Sequence, residues 1–179
     1  MKSVDIARDV AEGRVHGRFR VEFNKLAFNV TTTGAAIGFG TVVLGALPRG
    51  MLHITDAKGS VRFSTADIDP VAAWNGDFSV GTAPTADNVL TALSTEVNIL
   101  QSTPVGPAVN RVAPAAVARR AAPDITNVTT LRDSFRFDNT AGDLELNLNF
   151  LIDAADMADT QSAIFLADGW VDVMLSVVP

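Results

Sequence analysis

Residues 144–152 read Leu-Glu-Leu-Asn-Leu-Asn-Phe-Leu-Ile, and the alternation in them decides the fold class. Leu144, Leu146, Leu148, Phe150 and Ile152 take every second position, with Glu145, Asn147, Asn149 and Leu151 between them. Successive strand side chains point to opposite faces, so this stripe predicts a strand with one core face and one mostly polar face. The period returns at residues 170–178, where Val171, Val173, Leu175 and Val177 point inward. No Lys or Arg follows Arg136, so the polar face of these last strands is expected to be acidic.

Upstream, residues 19–30 (FRVEFNKLAFNV) change phase: Phe19, Val21 and Phe23 alternate in one register, Leu26, Phe28 and Val30 in the other. A one-residue slip flips every side chain, so a bulge near Asn24 and Lys25 is predicted to keep both sets on one face. Residues 41–46 read as a buried strand ended by the turn Leu47-Pro48-Arg49-Gly50. Residues 51–55 and 61–64 flank Asp56-Ala57-Lys58-Gly59, which has the composition of a hairpin turn. Residues 77–82 form another short strand, and Asn139-Thr140-Ala141-Gly142 turns the chain before the 144–152 stripe. Short strands joined by loops rich in Gly, Pro, Asn and Thr predict a mainly β fold, an antiparallel β-sandwich or jelly roll.

Helical periodicity is confined to short pieces. Val4, Ala7, Val10 and Ala11 share a helix face before Gly13, and residues 84–94 place Ala86, Val89, Leu90 and Leu93 on another. Residues 153–162 fit a helical turn. Pro104, Pro107, Pro114 and Pro123 argue against a central strand and predict a Pro/Ala-rich loop or arm at residues 103–123. The expected organisation is an N-terminal arm over 1–18 and a single β-sandwich domain over 19–179.

The bulk numbers exclude several classes. A chain of 179 residues without cysteine has no disulfide framework, thiol nucleophile or zinc–thiolate site. Residues 1–10 lack the apolar core of a signal peptide. The most apolar run, residues 34–47, is glycine-broken and falls short of the ~20 residues of a membrane helix. Charged residues are sparse at 19%, which suits a protein packed against neighbours. The net charge of −6 hides an asymmetry, with Arg8, Arg14 and Arg18 in the leading segment and an acidic C-terminal stretch. These segments are either solvated faces or surfaces that attract each other between subunits or dock on a partner of opposite charge.

Candidate chemistry is thin. His16 and His53 are the chain's histidines, and no nucleophile-elbow sequence accompanies them. Asp67 and Asp69, before Pro70, point the same way if extended and suit either a cation or turn chemistry. Asp153, Asp156 and Asp159 recur at helical spacing as an acidic patch or as first-turn carboxylates. Gly34, Gly38 and Gly40 fit no phosphate-binding pattern. Nucleic-acid binding lacks a basic face with interleaved aromatics, since Arg119 and Arg120 are too few. The chain is therefore expected to be no enzyme, with no catalytic residue, metal, cofactor or small-molecule substrate. The expected partner-contacting residues are Arg8, Arg14, Arg18, Arg111, Arg119, Arg120, Asp153, Asp156 and Asp159.

The stretches Gly40-Thr41-Val42-Val43-Leu44-Gly45-Ala46-Leu47-Pro48-Arg49-Gly50 and Gly76-Asp77-Phe78-Ser79-Val80-Gly81-Thr82-Ala83 add a resemblance. They resemble small jelly-roll structural proteins of tailed bacteriophage virions, which carry an LPxG turn after one strand and a GT strand end before an insertion. The resemblance spans roughly residues 19–101 and implies a head decoration or cement protein. It implies a virion surface location after synthesis in the host cytoplasm, with the major capsid protein and copies of itself, as a trimer, for partners, and neither nucleic acid nor membrane. A tail, neck or fibre component is the alternative within the virion. A carbohydrate-binding jelly roll is the alternative outside it, with Trp74 as the exposed platform and Trp170 in the core.

Overall fold

The computed structural model describes residues 7–11, 14–32, 37–85, 90, 95–119, 136–158 and 161–178. Those residues form β1 (Ala7–Ala11), β2 (Arg14–Thr32), β3 (Gly38–Ala46), β4 (Gly50–Thr65), β5 (Gly76–Gly81), β6 (Leu100–Val105), β7 (Ala116–Arg119), β8 (Arg136–Asn139), β9 (Glu145–Ile152) and β10 (Ser162–Val178). Every pairing is antiparallel, in the order β6-β5-β9-β3-β2-β10-β4-β7, with β1 added to β2 and β8 to β4.

The continuous ladder folds over at its weakest joint. β2 and β3 pair only at Thr31↔Phe39 and Thr32↔Gly38. On either side stand two four-stranded sheets, β2-β10-β4-β7 and β3-β9-β5-β6, which is the eight-strand order of a jelly roll. Their inner faces meet through aromatic rings. Phe63 of β4 stacks on Phe150 of β9 at 4.5 Å, and Phe28 of β2 and Phe165 of β10 meet the same ring at 6.0 and 5.1 Å. Trp74 stands edge-on to Phe150 and Phe165, so the interior is filled with side chains.

The phase change in β2 is a bulge, as its sequence predicts. Phe23 pairs with Gly169 and Leu26 with Ala167, leaving Asn24 and Lys25 opposite Asp168. Lys25 takes a φ of 51°, and its N–H donates to the Asp168 Oδ1 at 2.9 Å. The donor that the bulge would orphan is thereby satisfied. The turn at residues 139–142 also forms, closed by the Gly142 N–H on the Asn139 carbonyl at 3.0 Å. Asn139 is fully buried and its side chain donates to the Leu47 and Pro48 carbonyls, tying this turn to the one after β3.

Several expectations are overturned. Residues 56–59 do not turn: β4 runs straight through them, and Thr55 is an extra residue where Met174 pairs with Asp56 and Leu175 with Ile54. Ala7–Ala11 is a strand paired with β2 rather than part of a helix. No helix occurs among the described residues; the candidate over 84–94 falls largely outside them, at 86–89 and 91–94. The Pro-rich segment is not a free arm over its described part. It begins in β6, and it closes on β4 through β7. Pro104 is tolerated because β6 is the edge of its sheet, where a missing N–H breaks no ladder bond. Residues 153–157 make a turn closed by the Asp156 N–H on the Asp153 carbonyl, and β10 starts at Ser162.

Candidate interaction surface

The outward face of β9 was expected to be polar and solvent-facing; the structure buries it. Asn147 and Asn149 are both buried, because the connection from β5 to β6 crosses over them. The Asn149 Oδ1 accepts from the Thr41 hydroxyl at 2.7 Å and the Thr85 N–H at 2.8 Å. Its Nδ2 donates to the Ala83 and Glu96 carbonyls, each at 3.0 Å. All four hydrogen-bonding positions of the amide are used. The connection approaches so closely that a Cβ on Gly81 would stand 2.2 Å from the Thr95 carbonyl oxygen. At Asn149 and Gly81 this outer face is covered by the chain's own backbone.

The outer face of β2-β10-β4-β7 is different. Asp172, mid-way along β10, points outward yet is 2% exposed, because arginines of β2 cover it. Arg18 grips it with both Nε and a terminal NH2, at 3.1 and 2.5 Å, and Arg20 adds a third bond at 3.1 Å. Arg20 also reaches Glu22 at 2.7 Å and lies over the Trp170 ring, 4.8 Å from its centroid. Asp172 raises the Arg18 pKa further, by hydrogen bonding first and by charge second. The register continues the row outward, Arg20↔Asp172↔Lys58↔Arg119, so Arg119 shares the face.

Of the expected contact residues, the structure thus brings Arg18 and Arg119 onto one face. Arg111 lies elsewhere, its Nε donating to the Pro70 carbonyl at 3.3 Å. Arg8 and Arg14 sit on β1 and β2 with side chains outside the described residues, as are Arg120 and Asp159. Asp153 and Asp156 occupy the β9–β10 connection, where Asp156 accepts the Asn75 N–H at 2.7 Å. Partial desolvation, then Asp77 and Asp156, raise the Asp153 pKa. Asp67 accepts the Ile164 N–H and so fastens the start of β10, while Asp69 is exposed. No group of three metal-ligating side chains gathers among the described residues. His53 faces outward on β4.

The two tryptophans exchange their expected places. Trp74 is completely buried, so it is no platform for a sugar, while Trp170 is half-buried on the outer sheet face. Asp172, Arg20 and Trp170 were not anticipated as a group. Period-two alternation puts Asp172 on the outward face, but its arginines are about 150 residues away in sequence.

No family model matches this chain, and no curated protein matches it. Among solved structures, a chain of Cocksfoot mottle virus is similar with a TM-score of 0.38 and 6% identity, over 89% of this chain and 92% of that one. A chain of Desmodium yellow mottle tymovirus is similar with a TM-score of 0.28 and 10% identity, over 97% and 94%.

Proposed function

We propose that this chain is a non-enzymatic structural protein of a virus particle, of the decoration or cement kind, seated on a shell and bridging its subunits. The observation that carries the reading is the eight-strand order, since double-sheet jelly rolls recur in viral shells, lectins and cupins. The rest of the structure favours the first of these. A cupin or lipocalin-like role needs a chamber between the sheets, and Phe28, Phe63, Phe78, Trp74, Phe150 and Phe165 occupy that space. A lectin needs an open aromatic platform; Trp74 is in the core, and the ring of Trp170 is covered by the Arg20 guanidinium. The net charge of −6 suits an outer position better than contact with a packaged genome, which calls for a basic surface.

A clamp of this kind works through many modest contacts that stabilise the bound particle by mass action. Purified protein should cosediment with undecorated shells and raise their disruption temperature. Removing residues 1–13 deletes β1 and exposes the edge of β2, and should weaken shell binding while the sandwich still melts cooperatively. Absence of binding to any undecorated shell, or specific glycan binding lost on Trp170→Ala, would overturn the reading.

A further inference from the structure

The open sheet carries a pattern that a solvent-facing surface does not need. Outward side chains on the middle strand of an exposed sheet are ordinarily polar. Here β10 presents Ile164, Leu166, Trp170 and Met174 outward, with Ile164 52% and Met174 42% exposed, and the two carboxylates in the same row, Asp168 and Asp172, are paired with Arg62 and with Arg18 and Arg20. The flanking strands present charges instead, Arg18, Arg20 and Glu22 on β2 and Asp56, Lys58 and Arg62 on β4. An apolar centre inside a polar rim is the composition of a protein interface. The three long strands β2, β10 and β4, of 19, 17 and 16 residues at a spacing of about 4.8 Å, give a face on the order of 800 Å². A stable pair needs roughly 800 Å² from each partner.

We propose that this face joins two copies of the chain about a twofold axis running along β10. That axis lays the apolar seam on its own copy and sets β2 of each chain against β4 of the other. Met174 pairs in register with both Arg18 and Asp56, so these two stand at the same height on opposite sides of the seam. The axis then brings Arg18 to the second copy's Asp56, and does so twice, while Arg20, which falls opposite the second copy's Lys58, is already neutralised by Asp172 and Glu22. Arg18 is ready for this contact: Asp172 fixes its guanidinium, yet the side chain is 45% exposed. Asp56 enters no ion pair among the described residues. Arg18, Asp56, Lys58, Asp172 and Met174 line a shallow depression at this height. A guanidinium already held in place loses little freedom on binding. On the other sheet the matching outward position, Asn149, is covered by backbone of the β5–β6 connection.

This inference goes beyond the virion reading and concerns the purified chain, and it replaces the trimer implied by resemblance with a twofold pair. Sedimentation equilibrium over a range of concentrations should give a monomer–dimer equilibrium. Met174→Lys and Trp170→Ser should each raise the dimer Kd at least tenfold, and Asp56→Lys should weaken pairing more than Asp56→Asn. Val43→Lys, on a side chain 43% exposed on β3 in the other sheet, should leave the Kd unchanged. Circular dichroism melts establish that each variant is folded. A chain that stays monomeric or forms trimers throughout, or a dimer indifferent to Met174→Lys, overturns the proposal. Shell binding is scored separately, so a monomer that still binds shells sinks the pairing and leaves the virion reading standing.

Discussion

Asn149 on β9 and Asp172 on β10 hold matching places, each an outward-pointing polar residue near the middle of its sheet, and each is buried. What covers them differs. Over Asn149 lies backbone of the connection from β5 to β6, whose Thr85 N–H and Ala83 and Glu96 carbonyls bond its amide. Over Asp172 lie two side chains, whose other ends remain in water. A polar residue covered by backbone closes a face permanently, because losing the pairing would strand main-chain groups. A carboxylate covered by arginines leaves the face charged, ordered and available.

The sharpest way to break this comparison is Asn149→Leu. The substitution takes the amide from the Ala83 carbonyl and one of the bonds from the Thr85 N–H and the Glu96 carbonyl, which also bond the Thr41 and Ser79 hydroxyls, and should cost about 2–3 kcal/mol in urea denaturation. Proteolysis within residues 82–99 should accelerate in parallel. A loss below about 1 kcal/mol would mean the crossing segment is held by something other than this amide. Asp172→Asn should cost less than half as much. The arginines it frees can rehydrate, so no buried charge is left alone. If it cost as much as Asn149→Leu, the outer face would be a structural core in disguise and a poor candidate for docking.

The difference between the two faces also marks where sequence reading stops. The bulge at Asn24 and Lys25 is legible because a period-two pattern records a one-residue slip in every later side chain. The residues 56–59 mislead because Asp, Lys and Gly suit a turn without enforcing one; what decides is the pairing of β4 with β10 across more than 100 residues. Val4, Ala7, Val10 and Ala11 fit a helix face, but so short a helix is unstable alone, and at Ala7–Ala11 the ladder to β2 prevails. Trp74 sits in a stretch that reads as a loop, and it is buried only because Phe150 and Phe165 arrive from β9 and β10. Asn147 and Asn149 alternate as solvent-facing residues do, and no local pattern announces the segment that covers them. The candidate surface was legible as alternation and illegible as a partnership.

The smallest expected effect contrasts the loop end of the sandwich with the rim of the open sheet through pH. Asp153, at the end of β9, has its pKa raised above 3.8 by partial desolvation and by the neighbouring Asp77 and Asp156. Its folded form holds the proton more tightly than its unfolded form, so its contribution to stability is complete below 3.8 and is lost as pH rises through the raised value. Asp138 on β8, accepting from the Thr140 hydroxyl and N–H, has its pKa lowered and the opposite sign. Its contribution is present above 3.8 and is lost as pH falls through the lowered value. Asp153→Asn should therefore leave stability unchanged in acid, and raise it slightly once the wild-type carboxyl has ionised. Asp138→Asn should lower it slightly at neutral pH and leave it unchanged in acid. Denaturation midpoints of both variants across a pH series test the pair. An Asp153→Asn gain that is the same at every pH would show that charge at this loop end is not what destabilises it.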